Sequence, residues 1–114
     1  MIEKIVIDYL SGALAVPVGP QAPEGPPASY CTVERRGGDE KDELQAALIA
    51  VHSIAPSLWE ALTLSGQVKT AMKTLRYDCA DVFSCRLTSE YNNTDSRTKE
   101  YRYTAIFRVV YVDD

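Results

Sequence analysis

The sequence is poor in the residues that carry out chemistry and in the runs that cross membranes. Histidine occurs once among 114 residues, at His52. No cysteine, aspartate or glutamate stands at ligand spacing from it, so local sequence assembles neither a metal centre nor a histidine-based catalytic pair. The three cysteines, Cys31, Cys79 and Cys85, are an odd number without a C-x-x-C pair, which fits a reducing compartment better than a disulfide scaffold. No segment approaches the roughly 18 uninterrupted apolar residues of a membrane span, and the first apolar stretch already contains Glu3 and Asp8. Neither a signal peptide nor a membrane anchor is expected, and the chain reads as made and folded in a cytoplasm. Positive charge is also short: 12 Lys and Arg face 16 Asp and Glu, for a net charge of -4. That balance argues against a domain whose main task is to grip nucleic-acid phosphates. Internal repeats and low-complexity tracts are missing, and the length suits one domain, 1–114, that builds a core without disulfides or metal.

What is present divides into apolar segments with distinct periods. Ile2, Ile5, Val6, Tyr9, Leu10 and Ala13 recur at helical spacing, with Glu3, Lys4, Asp8 and Ser11 on the other side, which predicts a short amphipathic helix ending near Gly12. Residues 16–29 read VPVGPQAPEGPPAS and hold five of the six prolines. A segment so short of backbone donors is neither helix nor central strand, and it reads as an extended crossing inside the domain. Tyr30 to Arg35 is a strand by residue type, and Arg36-Gly37-Gly38-Asp39 reads as a turn that the charged cluster Asp39 to Glu43 continues. The segment from Leu44 to Ala55 satisfies both periods, and its residues alone leave helix and strand open.

Pro56-Ser57-Leu58-Trp59-Glu60 has the form of a helix start, in which Ser57 accepts from the Glu60 N–H and the Glu60 carboxylate reaches back to the Ser57 N–H. That helix is expected to run from Ser57 to about Leu75. Leu58, Ala61, Leu62, Ser65, Val68, Met72 and Leu75 would form its buried stripe, with Lys69 and Lys73 near its negative end. Gly66 in its middle costs about 1 kcal/mol against alanine, which marks close packing against a neighbour. The last third alternates as a hairpin. Phe83, Cys85, Leu87 and Tyr91 oppose Arg86, Thr88 and Glu90 over Val82 to Tyr91; Tyr101, Tyr103, Ala105, Phe107, Val109 and Tyr111 oppose Arg102, Thr104 and Arg108 over Lys99 to Val112. The polar stretch Asn92 to Thr98 between them reads as a mobile tip projecting into solvent.

Each candidate for catalysis has a plainer reading. Cys85 alternates with Phe83 and Leu87 as a small apolar residue, Cys31 sits in a strand, and Cys79 lies in the Arg76 to Asp81 loop without a base beside it. Arg36-Gly37-Gly38-Asp39 lacks the further glycines and the lysine-serine or lysine-threonine pair of a phosphate-cradling loop. Asn92-Asn93-Thr94 fits a glycosylation acceptor, but without a secretory signal it is a loop. The pairs Asp39 with Asp42 and Asp78 with Asp81 are solvated loop charge. The expectation is a protein that is not an enzyme and whose work is assembly, since tyrosine and arginine on long strands combine contact area with polar ends.

Read as a whole, the order IVIDYLSGAL, VPV, PPASY, CTVERRGG, ALIAVHSIAPSLWEAL and EYRYTAIFRVVYV resembles the tail-terminator or tail-completion proteins of long-tailed, siphovirus-type bacteriophages and prophages. The VP-to-VERRGG portion and SIAPSLWEAL carry most of the likeness. The resemblance implies an α+β domain with a mixed or mainly antiparallel sheet and a long C-terminal β-hairpin packed against two helices, and it tips residues 44–55 towards strand. It further implies a homo-hexameric ring that caps the tail tube, stops its polymerisation and joins it to the head connector or stopper protein. No cofactor, metal or membrane enters this reading, and DNA passes through the ring without specific binding; an acidic protein suits such a lumen. The ring would belong to the virion tail or neck and be assembled in the bacterial cytoplasm. The family supplies no motif to carry residue by residue. Contact surfaces are therefore taken from exposure and shape: Arg35, Arg36 and Asp39 in the expected turn, and Asn92, Asn93, Asp95, Arg97 and Arg102 at the hairpin tip. Competing readings are a head–tail stopper or other minor neck or tail protein, a small hydrolase using Cys79 or His52, and a host-targeted regulator that binds one protein.

Overall fold

The computed structural model describes residues 1–98 and 100–112. Its elements are α1 (Ile2–Ala13), β1 (Val18–Gly19), β2 (Tyr30–Lys41), β3 (Leu44–Ala55), α2 (Leu58–Met72), α3 (Leu75–Asp78), β4 (Val82–Asn92) and β5 (Tyr101–Tyr111). Lys99, the expected first residue of the last strand, lies outside the described residues. The strands form one five-stranded sheet in the order β1-β2-β3-β5-β4, antiparallel throughout except where β1 pairs with β2. The fold is α+β, with a mixed, mainly antiparallel sheet as expected.

One face of the sheet carries the core. Cys31, Val33, Ala47, Ile49, Val51, Ala105, Phe107, Val109 and Tyr111 from the strands meet Ile2, Val6 and Leu10 of α1, Leu64, Val68 and Met72 of α2, and Leu75 of α3. The expected first helix thus forms, with its apolar side at i, i+4 and i+8 inward. Residues 44–55 are a strand. β3 is hydrogen-bonded on both sides, to β2 and β5, and is buried on both faces from Ile49 to Ala55. A strand enclosed on both faces has no polar alternation to display, which is why its period was ambiguous.

Three expectations are corrected. Arg36 to Asp39 is not a turn: β2 runs through it to Lys41, with a bulge between Arg35 and Gly37 and Gly37 at φ 151. Gly38 is needed for closeness, since a Cβ there would collide with the Ala46 carbonyl oxygen. The reversal comes later, at Asp42 and Glu43, whose φ values are 53 and 70, as a two-residue hairpin demands. Secondly, the long second helix stops at Met72, and Leu75 opens the separate turn α3. Its N-cap is as expected, Ser57 Oγ accepting from the Glu60 N–H at 3.1 Å, but the return bond to the Glu60 carboxylate comes from the Ser57 hydroxyl at 2.9 Å. Leu58 and Leu62 are more than a third exposed, and Leu64 takes the buried place instead. No neighbour packs on Gly66, around which a Cβ would meet nothing within 4 Å.

Thirdly, the C-terminal hairpin forms as expected, β4 pairing antiparallel with β5, but without strict alternation. β5 lies inside the sheet and β4 is an edge strand. Bulges between Val82 and Ser84 and between Leu87 and Ser89 break the simple alternation. Phe83 is left 56% exposed at the first bulge, and Tyr91 falls on the opposite face from Cys85 and Leu87.

Candidate interface surfaces

The face of the sheet away from the helices bears Tyr30, Thr32 and Glu34 of β2, Leu48, Ala50, His52 and Ile54 of β3, Arg102, Thr104, Ile106 and Arg108 of β5, and Arg86, Ser89 and Tyr91 of β4. No helix covers it, yet Ala50, His52, Ile54 and Thr104 are buried. Long side chains from the outer strands supply the cover. The Arg36 guanidinium donates to the Glu34 carboxylate at 3.2 Å and to the Tyr91 hydroxyl at 2.9 Å, so β2 and β4 are joined across the two strands between them.

Beneath this bridge lies a directional chain of hydrogen bonds. Glu34 can only accept, so His52 Nε2, 2.7 Å away, carries the ring proton. In the neutral ring Nδ1 then accepts from the Thr104 hydroxyl at 2.7 Å, and Thr104 Oγ1 accepts in turn from Asn93 Nδ2 at 3.4 Å. Burial pushes the His52 pKa below its ordinary value, outweighing the pull of Glu34 in the other direction. The same bond to His52, helped by Arg36, lowers the Glu34 pKa. This is a neutral imidazole holding strands in register. It is not arranged as a base: both ring nitrogens are engaged within the fold.

The eight expected contact residues do not form one surface. Arg35 turns to the helix side, where it donates to the Gly37 carbonyl and to the Tyr111 hydroxyl at 3.1 Å. Arg36 faces the open side in the bridge just described, and Asp39 is exposed farther along β2. At the other end, Asn92 Oδ1 accepts from the Thr94 N–H at 3.1 Å, the Asp95 carboxylate accepts from Arg97 through both backbone and guanidinium, and Asn93 and Arg102 are tied by a backbone bond. Asn93, Asp95 and Arg102 come together with Tyr30, Ile54 and Glu100 around a cleft of about 190 Å³. The tip therefore lies beside β2 and β3, anchored by a 3.0 Å bond from the Tyr30 hydroxyl to Glu100.

Sequence reasoning missed the cross-strand pair Arg86 and Arg108. Both were placed on a polar face, but their direct opposition depends on a register that the two β4 bulges set. Trp59 is 77% exposed on the first turn of α2.

The cysteines are free: Cys31 is buried, Cys79 and Cys85 partly so. Burial pushes the thiols of Cys31 and Cys85 up to about 11 and also raises that of Cys79, the opposite of what a thiolate nucleophile requires. Among the described residues no group of three or more His, Cys, Asp or Glu is placed to hold a metal ion, and no helix is long and apolar enough to cross a membrane. A groove of about 530 Å³ between α1 and α2 is lined by Leu14, Thr63, Gly66, Gln67, Thr70 and Thr74 among others, none of them an acid or base.

No family model and no curated protein matches the sequence. Among solved structures, the fold is similar to that of a chain in the virion of a native gene transfer agent particle, with a TM-score of 0.62 and 13% identity over 93% of this chain and 83% of that one. The likeness is one of fold.

Proposed function

We propose that the protein is a virion structural component, and more narrowly a tail-terminator or tail-completion protein of a long-tailed phage or prophage. In this role it caps the tail tube as a homo-hexameric ring, stops polymerisation and joins the tube to the head connector or stopper protein. The observation that carries the reading is the shared fold over nearly the whole chain with a chain of a virion particle, taken together with the sequence resemblance. The thiols, kept protonated by burial, and the histidine, engaged at both ring nitrogens, add to it, because they favour a binding component over the hydrolase alternative. A cyclic ring needs two different patches on each copy, and the molecule offers unlike surfaces: the acidic Asp42–Glu43 turn and the open face of the sheet. Under this reading the protein resides in the tail or neck of the particle and lets DNA pass without specific binding.

Deleting the coding sequence in its native background, inducing particles and imaging them by electron microscopy tests the proposal. Overlong headless tails are the expected result. Tails of normal length beside filled, unattached heads would replace the terminator with a stopper, and intact infectious particles would overturn the proposal.

A further inference from the structure

Arg86 on β4 and Arg108 on β5 are directly opposite one another on the open face. Like charges at this spacing destabilise a sheet unless an anion stands between them. Among the described residues neither guanidinium has an ion pair or a side-chain hydrogen bond. Arg108 shares a cleft with Asp39 and Asp42 of its own chain without coming within ion-pair distance of either. Leu48, beside Arg108 in the register, is 37% exposed, so the pair sits against uncovered apolar surface.

The open face as a whole is cationic in an acidic protein. Apart from the turn at its end, Arg36, Arg86, Arg102 and Arg108 lie on it against Glu34 and Glu100. The matching charge is on the hairpin turn between β2 and β3, where Asp39, Glu40, Asp42 and Glu43 surround a single lysine, Lys41. All are exposed and none is in an ion pair among the described residues. The two-residue reversal holds this acidic group at the extremity of a paired ladder, a rigid projection of small width.

We infer that the Leu48–Arg86–Arg108 patch is a docking site for the acidic Asp39 to Glu43 turn of a second copy of this chain. The turn carboxylates would lie over the two guanidinium groups, relieving their repulsion, and Leu44 beside the turn, itself 40% exposed, would meet Leu48. Because the contact joins two different patches, it can repeat head to tail, and it closes into a ring when the rotation allows. This deepens the ring reading and rests on it.

The test uses the full chain in four samples at low salt, followed by sedimentation velocity up to millimolar concentration, with far-UV circular dichroism to confirm folding. The samples are the wild type, R86E with R108E, D42K with E43K, and an equimolar mixture of the two variants. The wild type should associate with concentration. Each variant alone should associate at least about tenfold more weakly, and the mixture should recover association because it restores opposite charges at every contact. A wild type that stays monomeric, variants that associate like the wild type, or a mixture that does not recover would each overturn the inference. If R86E with R108E instead abolishes only retention of duplex DNA and leaves self-association intact, the patch is a phosphate site and the inference is also wrong. These failures are separate from failure of the terminator role: overlong tails on gene deletion would still establish the role, with the subunit contact elsewhere.

Discussion

The two faces of the sheet exclude water by different means. On the helix side, Phe107, Val109, Ile49 and Val51 are buried by whole elements laid over them. On the other side no element is available, and Ala50, His52 and Thr104 are buried beneath the side chains of Arg36, Glu34 and Tyr91. The first face is held by volume, a non-directional force proportional to apolar area. The second is held by bonds with defined donors and acceptors, whose value depends on protonation. The helix face should therefore respond to changes of size and be indifferent to pH, whereas the open face should respond to both charge and pH.

The largest effect is expected on the helix face. Phe107→Ala removes a ring that is 3% exposed and should cost about 3–5 kcal/mol in urea unfolding. Ile106→Ala, one residue away on the half-buried open face, should cost clearly less. Equal losses at the two positions would break the distinction between the faces.

The next effect is specific to the open face. His52 is held below its ordinary pKa of 6.5 by burial, so the unfolded chain binds a proton that the folded chain refuses. Stability is then full above pH 6.5 and falls as the pH drops below that value. Glu34, lowered from 4.5, has the same sign: its contribution is present above pH 4.5 and is lost on further acidification. The two losses fall in succession. At pH 8, His52→Ala should cost about 1–3 kcal/mol by leaving Thr104 without its acceptor, and it should flatten the first descent in a series of unfolding midpoints against pH. If the descent just below pH 6.5 persists in the variant, His52 is not the titrating group.

Much of the helix face could be read from the sequence, because period and burial coincide there. Ile2, Val6 and Leu10 mark α1, the Ser57–Glu60 cap marks α2, and Ala105, Phe107, Val109 and Tyr111 mark the inward side of β5. The open face could not be read in this way. His52, Glu34, Thr104 and Asn93 are up to 70 positions apart and meet only through strand order. Two glycines at 37 and 38 read as a turn because the close approach of Gly38 to the Ala46 carbonyl has no local signature. Bulges in β4 shifted Phe83 and Tyr91 off the face that strict alternation assigns them. Contact surfaces chosen by exposure and shape accordingly fell on separate parts of the molecule.

The smallest effect tests the contrast through a polar atom on the apolar side. Ser65 is 1% exposed, and its Oγ has no hydrogen-bond partner among the described residues, whereas the buried hydroxyl of Thr104 has two. A buried hydroxyl without a partner opposes folding, and alanine is also the better helix former at this interior position of α2. Ser65→Ala should stabilise the protein by about 1 kcal/mol, raising the urea midpoint without changing the slope, while Thr104→Val, which replaces the hydroxyl by a methyl, should destabilise it by leaving His52 Nδ1 and Asn93 unmatched. Opposite signs for two hydroxyl deletions, one in α2 over the helix face and one on the open face, would separate the faces more sharply than the larger losses do, because side-chain volume changes little in either variant. A loss of stability at Ser65 would mean that the hydroxyl has a role on the helix face, and that the two faces are held together by the same kinds of force.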